Sequence, residues 1–358
     1  MMVPVGRLTL VRTFAKSELI RTMSFVAIPA LIGPMLGPVA GGLIVGYLYW
    51  RVIFFINLPI GIAGLVLVYL YLPDYRDPRP HPLDVVGFIL FGAGVALLSY
   101  VLEIFGEHTL STVEVLGLLA LSLALIAGYA VHAEHTPYPL LQSSLARVRT
   151  FRTAVTGSFV TRLGVGGVPF LLPLLYQVGL GFTPIQSGLL IMPQALAAMS
   201  VKFVTPLILA TLGYRGVLVS NTIIIGFLIL AFATVGVGTP MWLIVVQAFG
   251  YGAFMSLQFT SMNTLVYADI ADAQTSAASS IASTMQQMSI SFGVAAAGLC
   301  AVFFMPDRVH SDPAAMIHGI HQAFLLLGGF TIVSTIVFAA LKSADGGNVS
   351  QPKALEVG

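Results

Sequence analysis

The sequence predicts an all-α integral membrane protein, and three observations carry that reading. Only 8% of its 358 residues are charged while 57% fall in the apolar set, whereas a soluble globular chain is roughly 25% charged. Apolar stretches of about 20 residues, the length of a spanning helix, recur along the whole chain. Those stretches are continuous rather than alternating with period two, which excludes a β-barrel. So few charges cannot cover a water-soluble domain of this size, so soluble enzymes fall away first. The net charge of +2 offers no polybasic face, and no nucleic-acid partner is expected. One cysteine, Cys300, excludes a disulfide framework and a thiolate metal site.

The elements follow in chain order. Residues 1–21 carry Arg7, Arg12, Lys16, Glu18 and Arg21 without an apolar run and cleavage site, so no signal peptide is expected. Met1–Val5 reads as the tail of a helix whose beginning is absent. Ten spans are then predicted at 22–48, 52–72, 84–104, 112–132, 150–177, 185–209, 216–237, 240–266, 276–304 and 318–341. The 36 glycines and 20 prolines fall partly inside these runs, as membrane helices tolerate. The widest connections, 73–83 (PDYRDPRPHPL) and 133–149, bracket the pair 84–104 and 112–132. The chain therefore divides into two helices (1–72), an inserted hairpin with its linkers (73–149), six helices (150–341) and a tail (342–358). A six-helix block preceded by an incomplete one suggests a two-halved transporter.

Orientation follows from charge. With the N-terminus cytoplasmic and sides alternating, twelve of the 16 Lys and Arg lie in cytoplasmic segments and only Arg51 and Arg308 lie outside. Loops rich in Lys and Arg translocate poorly, so both termini are expected in the cytoplasm. Trp50 and Trp242 then sit at the outer headgroup level.

The first span contains Gly33-Pro34-Met35-Leu36-Gly37-Pro38-Val39-Ala40-Gly41-Gly42. Gly33, Gly37 and Gly41 form one helical stripe on which a second backbone can approach closely. Pro34 and Pro38 remove ladder donors and bend the helix. The stripe is expected to meet the helix at 185–209 through Gly188, Ala195 and Ala198.

This segment resembles the antiporter motif in the fifth helix of the major facilitator superfamily. Trp50 through Gly61 (WRVIFFINLPIG) resembles the start of the sixth helix of its fourteen-helix drug:proton antiporters, the group that includes the EmrB/QacA and MdtD multidrug transporters. Val5–Leu8 and Ser17–Leu19, Leu180–Pro184 and Gln258–Leu265 are similar to the same group, so the resemblance covers essentially the whole chain. It implies a major facilitator fold in which 1–72 is the tail of helix four with helices five and six, and 73–149 holds the two extra helices. It also implies export of amphipathic compounds by alternating access, with no cofactor, the proton gradient as energy source, and an accessory efflux subunit as a partner. The chain departs from the family where the second-half loop reads Ala210-Thr211-Leu212-Gly213-Tyr214-Arg215-Gly216, with Ala210 in place of a carboxylate. The acidic residue that the family carries in helix one has no counterpart here either.

Polar groups at membrane depth are the candidates for a substrate cavity, because an ionisable group in a span is costly and usually faces a cavity or partner. Arg162 lies ten residues past Arg152, about 15 Å into a core of about 30 Å. It is expected in an open, water-filled groove. Gln194, Gln286 and Gln287 fall near the same depth and Gln247 somewhat nearer the outer face; each amide can equally serve a structural bond between helices. His318 and His321 share a helix face without a third ligand, so no metal is expected. No HExxH, no Ser/His/Asp set at one depth and no metal cluster speaks for an enzyme. The reading is a drug-exporting transporter with a small-molecule substrate and the lipid bilayer as its surroundings. The alternative is a truncated, non-transporting fragment of one.

The charge distribution makes a direct prediction. In a Cys300→Ser background, Pro78→Cys and Leu140→Cys should react with a membrane-impermeant maleimide only after the cells are opened. Labelling of either from the periplasmic side overturns the topology.

Overall fold

A computed structural model describes residues 33, 36–71, 82–104, 111–137, 139–141, 143–271, 274–304, 313–342 and 344–347. Among the described residues helices occupy all ten predicted places, the first from Leu36 onward, and no strand occurs. They are α1 (Leu36–Tyr47) and α2 (Val52–Tyr71), then α3 (Val85–Ile104) and α4 (Thr112–His135). The element Arg149–Gly179 is α5. Residues 184–212 and 214–232 of the continuous element Pro184–Phe232 are α6 and α7, followed by α8 (Met241–Leu265), α9 (Thr275–Phe304) and α10 (Pro313–Ala339). Seven elements are long and apolar enough to cross a membrane by length and composition, while α1 and Val85–Val101 are shorter apolar helices.

One of the seven is 49 residues long and holds two spans, because Gly213 sits at φ 67°, ψ 165°. That region is open essentially only to glycine. A loop was expected over residues 210–215, yet helix runs up to both sides of this single residue. The chain reverses there. The Ser256 hydroxyl donates to Ala198 O at 2.8 Å, and Asn221 Nδ2 donates to Gln258 Oε1 at 2.9 Å. One turn of α8 thus meets both limbs at one level, so α6 and α7 run antiparallel.

Local sequence sets the helix starts. Ser111 caps α4 reciprocally with Glu114: Ser111 N donates to Glu114 Oε2 at 2.8 Å and Glu114 N to Ser111 Oγ at 3.4 Å. Thr183 and Gln186 do the same at α6, with Pro184 at the first turn. Such caps satisfy N–H groups that lack an intrahelical partner, each worth about 1 kcal/mol. The hairpin α3/α4 is pinned by the Ser122 hydroxyl on Gly94 O at 2.9 Å and by Phe91 against Tyr129. Just before α3, the buried Asp84 carboxylate accepts from Gly87 N at 2.8 Å, meets His132 Nε2 at 2.8 Å and accepts from Leu140 N at 3.3 Å. The Gly87 amide first, then His132, hold this carboxyl below its ordinary value.

The larger bundle is built on α5, which packs against α8, α9 and α10, while α6 and α7 pack on α8 and α10, and α3 lies along α9. Its core is split in two. One apolar cluster gathers Val165, Tyr176, Leu190, Ile225, Tyr251, Ala297 and Leu327. The other gathers Ala154, Leu209, Leu218, Leu257, Ile281 and Phe338. By contrast every residue of Asn57–Tyr71 in α2 is exposed.

Glycine lets the helices cross. A Cβ on Gly293 of α9 would lie 2.9 Å from Gly166 Cα and 2.7 Å from Arg162 O of α5. Cβ atoms on Gly226 and Gly328 would each lie 3.0 Å from the other's carbonyl oxygen, bringing α7 onto α10. A Cβ on Gly252 of α8 would meet Gln194 C of α6 at 2.6 Å. These are small-residue contacts of the kind that replace the hydrophobic driving force inside lipid.

Gly213→Ala should lower stability in detergent by about 1–3 kcal/mol, the worth of one residue forced out of its permitted backbone region. Gly216→Ala is the comparison, since its added Cβ meets only Leu212 Cβ at 3.8 Å. It should be neutral or stabilising by up to about 1 kcal/mol. Thermal unfolding of the two variants reads the difference.

Candidate functional site

The two apolar clusters leave a polar layer between them. On α5, Ser158, Thr161 and Arg162 lie between Ala154 and Val165. Asn221 and Thr222 separate Leu218 from Ile225 on α7, and Thr331 and Ser334 separate Leu327 from Phe338 on α10. Gln194 stands between Leu190 and Leu209 on α6, and Gln286 and Ser289 between Ile281 and Ala297 on α9. Five helices therefore contribute polar side chains to one middle level of an apolar bundle.

Arg162 belongs to this layer and is 2% exposed. Its Nε donates to Ser158 Oγ at 2.9 Å, one turn back on α5. Its guanidinium carbon lies 3.8 Å from the ring centroid of Phe259 on α8. Its Nη2 is buried and makes no hydrogen bond. No carboxylate among the described residues pairs with it. The expected open groove is therefore not what surrounds Arg162: α8 covers it with an aromatic ring. Insertion scales put an Arg at mid-membrane at about 2.5–3.5 kcal/mol. A desolvated cation–π contact offsets about 2 kcal/mol of that. One donor direction stays unanswered.

The helix breaks just beyond it. Gly166 and Gly167 interrupt α5, and Leu175–Gly179 winds as a π-helix after Pro173. Pro169 has no N–H to return to Val165 O, so that carbonyl lacks its ladder donor. Near the break the Tyr251 hydroxyl reaches Val165 O at 3.5 Å. Side chains of neighbouring helices take up carbonyls that such breaks release.

The other candidates separate. Gln194 Nε2 and Gln247 Oε1 are buried without a hydrogen-bond partner. Gln247 Nε2 reaches Ala231 O at 3.4 Å, toward one end of the bundle. Gln286 is half-buried and Gln287 exposed, as two neighbours 100° apart on a helix must diverge. None of these four amides hydrogen-bonds Arg162 among the described residues, so the five do not form one cluster. A different set does. Asn221 Nδ2 donates to Phe254 O at 2.8 Å and to Gln258 Oε1 at 2.9 Å, and Gln258 Nε2 donates to Thr222 Oγ1 at 2.6 Å. Asn221 Oδ1 is left buried and unbonded. Gln258 and Phe259 are consecutive, so α8 turns an amide toward α7 and a ring toward α5. Phe259 also packs against both apolar clusters. Sequence reasoning missed this set. Amides at mid-depth, the signal that picked out Gln194, also mark Asn221 and Gln258.

The glycine motif behaves differently from expectation. α1 does meet α6, but not through Gly33, Gly37 and Gly41, around which a Cβ would find nothing within 4 Å. The contact runs along Pro38, Gly42 and Gly46. A Cβ on Gly42 would lie 2.6 Å from Pro184 O and 3.1 Å from Ile185 Cα, one on Gly46 would lie 3.2 Å from Ile185 Cδ1, and Gly188 abuts the Pro38 backbone. The row in contact is turned about 100° from the expected one, the angle between adjacent residues. Pro34 lies outside the described residues.

Comparison with known proteins matches this architecture. Residues 1–294 match the Major Facilitator Superfamily. The chain belongs to that superfamily. It is a multi-pass membrane transporter, not an enzyme. It is 37% identical over 325 residues to a protein of Serratia proteamaculans (strain 568) that carries the name multidrug resistance protein MdtD, covering 91% of this chain and 67% of that one. Proteins of the same name from Pectobacterium atrosepticum and Escherichia coli O6:K15:H31 are 34% and 33% identical, over 95% and 98% of this chain and 71% and 74% of theirs. In this facilitator chain, the row of α1 facing α6 can be read by cross-linking. Gly42→Cys paired with Ile185→Cys, in a Cys300→Ser background, should form a disulfide under mild oxidation. Gly37→Cys with Ile185→Cys should not.

Proposed function

We propose that this transporter exports amphipathic small molecules, drugs among them, by alternating access driven by the proton gradient. The observation that carries the reading is the polar layer at mid-depth, with donors and acceptors on Arg162, Gln194 and Asn221 left unbonded inside an apolar bundle. Buried polar groups are normally all satisfied. Leftover capacity at the level where secondary transporters hold their cargo suits a binding layer. The names of the relatives, multidrug resistance proteins, point to drugs as cargo. Apolar walls with few polar groups suit compounds that are mostly greasy with one polar end.

In this proposal Arg162, Gln194, Gln247 and Gln286 line the path, and Phe259 covers Arg162 in the state described. The protein lies in the bacterial inner membrane with both termini cytoplasmic, which the distribution of Lys and Arg supports. Proton coupling rests on family resemblance, as does an accessory efflux subunit. The six helices at 150–341 act as one half of the machine, with 73–149 as an inserted hairpin.

An accumulation assay tests the reading. Efflux-deficient cells producing this chain should retain less of a fluorescent amphipathic dye than cells with empty vector, and a protonophore should abolish the difference. Arg162→Ala should cut export about tenfold or more while the protein remains in the membrane. Export equal to the parent removes Arg162 from the path. Accumulation equal to empty vector, with protein in the membrane, supports the non-transporting alternative instead.

A further inference from the structure

The reversal at Gly213 leaves a cavity that lies apart from the polar layer. It is about 350 Å³ in volume and is lined by Leu212, Arg215, Gly216, Val219, Ser220 and Ala339. It sits between the start of α7 and the end of α10. Its position relative to the bilayer follows from the chain path. α6 and α7 are antiparallel spans, so the residue that joins them lies at a membrane surface. α10 ends at the same surface, because the tail after it returns to this point and Gly346 packs on the Tyr214 ring.

The cavity opens outward. Leu212 is 61% exposed, and Arg215, Gly216, Ser220 and Ala339 are exposed too. On a bundle inside a bilayer, such a surface faces lipid at the headgroup level. Leu212, Val219 and Ala339 form an apolar wall, and Arg215 supplies the charge. The Ser220 hydroxyl is turned back onto Gly216 O at 2.7 Å, so the polar end is left to the guanidinium. The acidic groups described near this end are engaged elsewhere: Asp345 by Arg149, and Asp269 by the Thr150 hydroxyl at 2.8 Å. Arg215 and Lys342 make no ion pair among the described residues. Arg215 is the charge that lines the cavity, and it has no carboxylate partner among the described residues.

We propose that this cavity binds the headgroup of an anionic phospholipid. The phosphate lies against Arg215, and the first methylenes of an acyl chain lie along Leu212, Val219 and Ala339. A guanidinium fork matches phosphate oxygens two at a time. The volume is at the low end of the roughly 300–1,000 Å³ typical of small-molecule sites, enough for a headgroup and the start of a chain. Basic pockets between spanning helices are suited to such lipids. A soluble anion would gain the charge but nothing from the apolar wall, so the lipid is the better occupant.

Native mass spectrometry of the purified chain in a non-ionic detergent tests this. Phosphatidylglycerol and phosphatidylcholine with the same acyl chains are titrated separately. Phosphatidylglycerol should occupy one site that phosphatidylcholine does not. Arg215→Gln should weaken that binding about fivefold, the effect of one cation at an anionic surface, and Arg215→Lys should restore most of it. Ala339→Trp, which fills the wall, should weaken it as well. Arg51→Gln should leave it unchanged, and millimolar inorganic phosphate should not displace the lipid. Equal binding of the two lipids overturns the proposal, as does an Arg215→Gln effect no larger than that of Arg51→Gln. An Ala339→Trp variant that binds like the parent removes the cavity as the site. Displacement by phosphate shows a soluble-anion site instead. None of these outcomes depends on transport.

Discussion

Inside a bilayer, lipid tails are as apolar as leucine, so helices gain little by hiding apolar faces from one another. What holds them is close contact of backbones, and in this bundle glycine supplies it at the crossings. Gly166 meets Gly293, Gly226 meets Gly328, and Gly252 meets Gln194. Each approach is too tight for a side chain and brings dispersion contacts that no larger residue permits. These points fix which face of each helix looks inward. Gly166 lies one turn beyond Arg162, so the α5/α9 crossing also sets how Arg162 is presented. The Gly252 contact does the same for Gln194, whose own backbone forms the other side of it.

Once the crossings set the faces, the polar layer follows. Five helices carry hydroxyls or amides between the two apolar clusters, and the inward faces bring these to one level. Most are satisfied locally: the Thr331 hydroxyl donates to Leu327 O at 2.8 Å and the Ser334 hydroxyl to Thr331 O at 2.6 Å. Those bonds close within a helix and leave little for a cargo. Asn221, Gln258 and Thr222 close between helices and brace α7 against α8. Arg162 alone among these cannot shed its charge, and one hydrogen bond with one aromatic ring does not exhaust it.

The spans were legible because about twenty apolar residues in a row is the length a membrane-crossing helix needs, and among the described residues helices stand at all ten places. Arg162 was legible because a charge in such a run has no neutral explanation. Other features were hidden for physical reasons. The rows 33/37/41 and 38/42/46 of the first predicted span are both small residues or proline at four-residue spacing, and periodicity cannot say which meets a partner. The break of α5 at Gly166 and Gly167 was masked because membrane helices tolerate Gly and Pro freely. Gly213 was read within a loop of several residues, but a single glycine at positive φ does the work of the whole connection. Phe259 was invisible among 23 phenylalanines, since only its neighbour across the helix boundary gives it a role.

The covering of Arg162 by Phe259 has a consequence for how such a bundle changes state. A cation over a ring is held by a force that falls with distance, and it lacks the rigid geometry of a bidentate ion pair. Moving α8 away from α5 therefore costs about 2 kcal/mol at this contact, less than separating a buried salt bridge. Phe259 packs against both apolar clusters, so such a movement disturbs both together. The break at Gly166 and Gly167 and the π-turn at Leu175–Gly179 give α5 two places to bend on one side of Arg162. The Gly166–Gly293 crossing, by contrast, holds α5 to α9. The weaker grip lies on the α8 side and the tighter one on the α9 side. On the α8 side Arg162 is thus held by one ring and no ion pair, while on the α9 side its own helix is held by backbone against backbone.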